Sequence, residues 1–145
     1  ENIFFTLFAS RRVAREESEN MRKALYYLDM VHLADKADEL TQNLSYAEQK
    51  LVSLARLLAT EAELFLLDEP TSGMDIASVE SVMFPAIRQL AEKQGKTVCI
   101  VEHSIDLIRS LCQWVFFLDQ GSLIAEGTPD QLISDPNLSR IYFGA

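Results

Sequence analysis

Apolar residues recur along the first part of the chain at helical spacing. Met21, Ala24, Leu25 and Leu28 stand at i, i+3, i+4 and i+7, with Arg15, Glu16, Glu17, Glu19, Arg22 and Lys23 as a solvated face. Residues 1–42 are therefore expected to be largely helical. Ala47, Leu51, Leu54, Ala55 and Leu58 form a second stripe, which predicts an amphipathic helix over residues 46–60. The period then changes. Residues 64–67, Leu-Phe-Leu-Leu, are a short unbroken apolar run, the pattern of a strand buried on both faces. Pro70, Thr71, Ser72 and Gly73 end it, and Asp75 is placed to cap a helix with the stripe Ile76, Val79, Met83, Ala86, Ile87 and Leu90. Pro85 lies inside that stripe and predicts a kink, and Gly95 is expected to end the helix. A second buried strand is predicted over 97–101, a short helix over 104–112, and a hairpin of 114–118 with 122–126 turned at Gln120-Gly121. Short helices after Pro129 and around Pro136 close the chain.

The order helices, strand, helix, strand, helix, hairpin contains a βαβ unit, which implies a mainly parallel sheet with helices packed on it. No linker divides the chain. It reads as one partial α/β domain, with a helical subdomain over about residues 1–60 and a sheet-bearing part over about 61–145.

Composition narrows the function classes. The chain has 145 residues, 48% of them hydrophobic, enough for a real core. No apolar run approaches the roughly 20 residues needed to cross a bilayer. The early cluster Ile3, Phe4, Phe5, Leu7 and Phe8 lacks a basic flank and is read as core rather than leader or docking surface. The net charge of −9 argues against nucleic acid as a partner. Cys99 and Cys112 have no metal-ligand spacing and are read as two buried thiols.

The chemistry concentrates where the first strand ends. Asp68 and Glu69 stand side by side at its carboxyl end, where ligands bind in open α/β sheets. An Asp there can hold Mg²⁺, and a neighbouring Glu can orient and deprotonate a water. Taken alone, the pair could equally mark a strand end at the surface. Three further segments accompany it in order: Leu44-Ser45-Tyr46-Ala47-Glu48-Gln49 upstream, Thr71-Ser72-Gly73-Met74-Asp75 downstream, and Glu102-His103 after the second strand.

This ordered set resembles the ABC ATPase family over essentially the whole chain, including the ending Gly127-Thr128-Pro129. Residues 44–49 look like the signature motif, 64–69 like the Walker B strand, 72–75 like the D-loop, and His103 like the switch-loop histidine. The resemblance implies a partial P-loop NTPase-type fold. It implies Mg²⁺ at Asp68 through water, Glu69 as general base, and His103 on the γ-phosphate. It implies Ser45, Tyr46, Ala47 and Glu48 facing ATP bound to the opposite subunit, and Ser72, Gly73, Met74 and Asp75 at the dimer interface. The cofactors would be ATP and Mg²⁺. The partners would be a second ATPase subunit and a transmembrane permease, at the cytoplasmic face of the membrane. Val101-Glu102-His103, the aromatic at 46 and the tail Ile141-Tyr142-Phe143-Gly144 resemble the branched-chain amino acid importer subgroup.

Plainer roles are compatible with these. Ser45 with Glu48 is a capping box, and a capped helix N-terminus is also an anion site. Asp75 caps a helix whether or not it meets a partner, and an isolated His103 would be an ordinary histidine. The signature departs from the family's two glycines at Tyr46 and Ala47, and a Cβ at 47 narrows the approach of phosphate to backbone. A phosphate loop reads G-x-x-x-x-G-K-[ST] between strand and helix. Gly95-Lys96-Thr97 fails that pattern, because Leu90 stands at the first glycine position and the helix comes before the strand. Glu1-Asn2-Ile3 resembles the segment just after the family's glutamine loop, so the chain is expected to begin partway through its domain. Alone it is expected neither to bind nor to hydrolyse ATP, and to expose part of its sheet and self-associate. Two other readings stand beside a transport ATPase. One is a naturally truncated, non-catalytic partner of a complete subunit. The other is an ABC ATPase without a membrane partner, which usually carries long insertions or paired domains not visible here.

Overall fold

The computed structural model describes residues 3–143, and side chains for residues 12–138 and Ile141. The early apolar cluster at positions 3–8 and most of the 141–144 tail lie outside the described side chains. The elements are α1 (Ile3–Met30), α2 (Tyr46–Leu58), β1 (Leu64–Asp68), α3 (Ile76–Ser78), α4 (Phe84–Arg88), β2 (Thr97–Val101), α5 (Ile105–Leu111), β3 (Val115–Asp119), β4 (Ser122–Gly127), α6 (Pro129–Ile133) and α7 (Pro136–Phe143). The chain forms two compact units, residues up to 65 with 71–98, and residues 66–70 with 99–145.

In the first unit, α2 buries Leu51, Leu54, Ala55 and Leu58, as its stripe predicts. α1 does not bury the face predicted for it. Met21 is 62% exposed and Leu25 is also exposed, while Tyr27 and Val31 are buried. Glu61 accepts a hydrogen bond from the Tyr27 hydroxyl at 3.2 Å and pairs with Lys23 at 2.9 Å on this side of the helix. Contacts to a residue this far along the chain are not registered by periodicity alone. Met83, Ala86, Ile87 and Leu90 complete this unit's apolar interior, with Phe65 from β1.

The predicted kink at Pro85 takes the form of a widened helix. A π-helical segment, Val79–Met83, precedes α4, and a second, Gln89–Lys93, follows it. The Phe84 N–H reaches back five residues to Val79 O. Proline cannot donate and its ring crowds the preceding turn, so a widened ladder just before it relieves that crowding. Gly95 then ends the helix with φ +65°, and the Lys96 N–H returns to Leu90 O at 3.0 Å.

β1 and β2 pair in one two-stranded sheet, and β3 and β4 in another. Thr97 N–H donates to Glu63 O at 3.0 Å and Glu69 N–H to Val101 O at 2.9 Å, so β1 and β2 run parallel. Neither is buried on both faces as expected. β1 alternates, with Phe65 and Leu67 buried but Leu64 53% and Leu66 69% exposed. No residue of β2 is fully buried. An unbroken apolar run fits a doubly covered strand, but whether the second face is covered depends on other parts of the fold. For the same reason Cys99 on β2 is exposed and Cys112 only half-buried, where two buried thiols are expected.

In the second unit β3 and β4 are antiparallel, with an irregularity between Phe117 and Leu118. Their turn has Gln120 at φ +44° and Gly121 at φ +79°, the pair of left-handed residues that matches hairpin twist. Ser104 caps α5, and Thr128 with Gln131 forms a capping box on α6.

Candidate functional site

The second unit brings Glu69 and His103 together. β1 delivers Asp68, exposed, at its carboxyl end, and the backbone then turns sharply. Glu69 has φ +43°, a left-handed conformation that costs a residue with a side chain about 1–2 kcal/mol. Two contacts hold it there. Its N–H donates to Val101 O on the neighbouring strand, and its Oε1 lies 2.9 Å from His103 Nε2. His103 follows the end of β2, and its own N–H donates to Glu102 Oε2 at 3.3 Å. Parallel strands ending side by side thus place a carboxylate and an imidazole in contact across 34 residues. With the carboxylate ionised, the bond requires the proton on Nε2.

The first unit holds the other candidates. Ser45 caps α2 in a reciprocal box: its Oγ accepts from Glu48 N–H at 3.3 Å, and Glu48 Oε2 accepts from Ser45 N–H at 2.7 Å. The Lys36 ammonium bonds the other oxygen, Glu48 Oε1. Lys36 first, then the Ser45 donors, hold the Glu48 carboxyl down at about 2. Both oxygens of Glu48 are therefore engaged within the chain. Ala47 is half-buried and Tyr46 exposed.

Residues 71–75 turn with Met74 N–H bonded to Thr71 O at 3.1 Å. Ser72 and Gly73 are exposed and Met74 half-buried. Asp75 caps α3 as predicted, accepting from Ser78 N–H at 2.8 Å and from the Ser78 hydroxyl at 2.7 Å. Those Ser78 bonds hold its carboxyl below the ordinary aspartate range. Tyr46 and Gly73 meet across this unit: a Cβ on Gly73 would stand 2.7 Å from Tyr46 Cε1.

Gly95-Lys96-Thr97 does not form a phosphate loop. Lys96 pairs with Glu63 at 2.6 Å, and β2 begins at Thr97 instead of ending before Gly95. Among the described residues no group of three or more His, Cys, Asp or Glu could hold a metal ion. Asp68 would offer Mg²⁺ one exposed carboxylate, and water or a phosphate ligand would have to supply the remaining oxygens. Sequence reasoning missed Lys36, the Val101 carbonyl and the Tyr46–Gly73 contact. The first two lie 12 and 32 residues from their partners, beyond any local pattern. The third carried one faint signal, a glycine in a turn.

Comparison with known proteins gives one consistent result. The family model described as ABC transporter matches residues 1–72. The high-affinity branched-chain amino acid transport ATP-binding protein LivG of Escherichia coli K12 is 28% identical over 142 residues, 98% of this chain and 55% of LivG. A solved ATP-binding cassette of an ABC transporter, in its ADP conformation, superposes with a TM-score of 0.77 at 28% identity, covering 88% of this chain and 51% of that one. A bacterial ABC transporter cassette solved as a dimer gives a TM-score of 0.69 at 31% identity, covering 77% of this chain and 48% of that one. The chain spans about half the length of the relatives it matches, and its fold is that of part of an ABC ATPase domain.

Proposed function

We propose that the chain, whose residues 1–72 match the ABC transporter family model, is the C-terminal part of an ATP-hydrolysing subunit that powers a membrane transporter. The observation that carries the reading is the Glu69–His103 pair at the ends of two parallel strands. Glu69 takes the proton of the attacking water, and His103 holds that carboxylate and meets the γ-phosphate. Phosphoryl transfer needs positioning and charge neutralisation more than covalent chemistry, which suits these groups. Asp68 would hold Mg²⁺ through water, and the ion would supply charge neutralisation at the phosphates. Ser45 and the amides at the start of α2 face the γ-phosphate of ATP on a second subunit, where a capped helix N-terminus favours an anion. Ser72, Gly73, Met74 and Asp75 meet that second subunit. No helix among the described residues is long and apolar enough to cross a membrane. By its likeness to ABC transporter ATP-binding proteins, the subunit acts with a transmembrane permease, peripherally on the cytoplasmic face. The likeness to LivG supports an amino acid importer.

Binding is the part this chain does not supply. Hydrogen bonds to charged groups contribute about 1.5–3 kcal/mol each, so doing without three phosphate-loop contacts removes roughly 5 kcal/mol, several thousandfold in affinity. Two measurements test this reading. The reading expects an in-frame phosphate loop encoded upstream of Glu1, and a start codon upstream with no phosphate loop would contradict it. Calorimetric titration of the isolated chain with Mg-ATP is expected to give no low-micromolar binding, and a low-micromolar isotherm would overturn the division of labour.

A further inference from the structure

Tyr46 and Gly73 stand 27 residues apart and meet in the first unit. The ring lies so close to the glycine that a Cβ there would come within 2.7 Å of Tyr46 Cε1 and 3.4 Å of Cζ. A side chain at 73 would force the ring to turn away. Gly73 is also at φ +75°, where any residue with a Cβ is strained. Two separate constraints thus fall on one glycine, one from its own backbone and one from the ring. Tyr46 is 57% exposed, yet both ends of its surroundings are fixed. The Ser45 cap pins the backbone just before it, and the Lys50 ammonium lies 5.7 Å from its centroid, within cation–π range. Beyond Gly73, the Met74–Thr71 bond closes the turn and Asp75 caps α3.

We propose that Tyr46 and Gly73 form a size-matched pair that ties the 71–75 turn to the N-terminus of α2. Tyr46 is then a positioning residue for Ser72–Asp75 rather than a ligand of nucleotide. The bulk at position 46, where the family's signature usually has glycine, is accommodated by the missing side chain at 73. The contact does not depend on the ATPase reading; only its consequence does, that α2 sets the segment facing a second subunit.

Amide hydrogen exchange in the protein carrying this chain tests the pair. In Tyr46→Ala the Met74 amide is expected to exchange roughly fivefold faster, while the Glu48 and Gln49 amides keep their rates because Ser45 still caps α2. Tyr46→Phe keeps the ring and is expected to restore wild-type exchange at Met74. Gly73→Ala is expected to speed the same amide, but by a smaller factor in the Tyr46→Ala background, where only the backbone strain remains to be felt. Unchanged Met74 exchange in Tyr46→Ala would overturn the proposal. So would an equal rise at Glu48 and Gln49, or independent, multiplicative effects of the two substitutions. A wild-type protein without ATPase activity would sink the proposed function and leave these exchange results standing.

Discussion

The start of α2 and the end of β1 each present a glutamate, and the two are held differently. Glu48 meets an ammonium and a backbone N–H, one on each oxygen, and its carboxyl is drawn down to about 2. Glu69 meets an imidazole, on a backbone held in a left-handed conformation. An acid saturated by a fixed cation and a helix-capping amide serves the architecture. An acid facing an imidazole at the end of a strand, beside an exposed Asp68, has the surroundings that the proposed general base needs. Two acidic residues of one type in one chain are thus separated by what their neighbours can give and take.

Breaking the second arrangement should have the larger effect. In the complete subunit, His103→Ala is expected to lower ATP turnover about 100-fold or more and ATP affinity by a clearly smaller factor, since it removes the partner of Glu69 and one contact to the γ-phosphate while the phosphate loop stays. Steady-state phosphate release with a parallel equilibrium titration checks this. A proportional loss of affinity would mean that His103 binds rather than positions.

The first arrangement should answer in stability. Ser45→Ala removes the cap acceptor from α2 and is expected to cost about 1 kcal/mol, read as a lower urea midpoint at unchanged slope. A smaller, pH-dependent effect belongs to Glu48. Its carboxyl lies at about 2 when folded against an ordinary 4.5, so the folded state takes up this proton less readily than the unfolded chain. Its contribution is complete above about pH 5 and fades as the pH falls towards 2. Glu48→Gln should flatten that part of the stability profile. Lys36→Met should move the Glu48 titration, followed by carboxyl carbon NMR, back towards the ordinary range. A Glu48 midpoint unmoved by Lys36→Met would remove the distinction between the two glutamates.

Local chemistry was legible in the sequence. The α2 stripe, the Ser45–Glu48 box, the Asp75 cap and the Gln120-Gly121 turn all involve residues a few positions apart, and all stand as expected. Burial was not, because it depends on what lies across a face. Leu66 and Cys99 read as interior and are exposed, and α1 buries Tyr27, bonded to Glu61 34 residues on, rather than Met21 and Leu25. Of the candidate site, the residues were suggested by motif order, but not the strained backbone of Glu69, the Lys36 bond, or the meeting of Tyr46 with Gly73. Each of these arises from pairing across distant segments. The π-helical segments around Pro85 were half visible, since proline predicts a disturbance without specifying its form.

The central claim is that Glu69 supplies the base for ATP hydrolysis in the complete subunit. Single-turnover hydrolysis by wild type and Glu69→Gln, at saturating Mg-ATP, addresses it directly. The substitution keeps the side chain's size and removes its basicity. Turnover is expected to fall by about 100- to 10,000-fold with ATP still bound. Hydrolysis by Glu69→Gln within a few-fold of wild type would contradict the account.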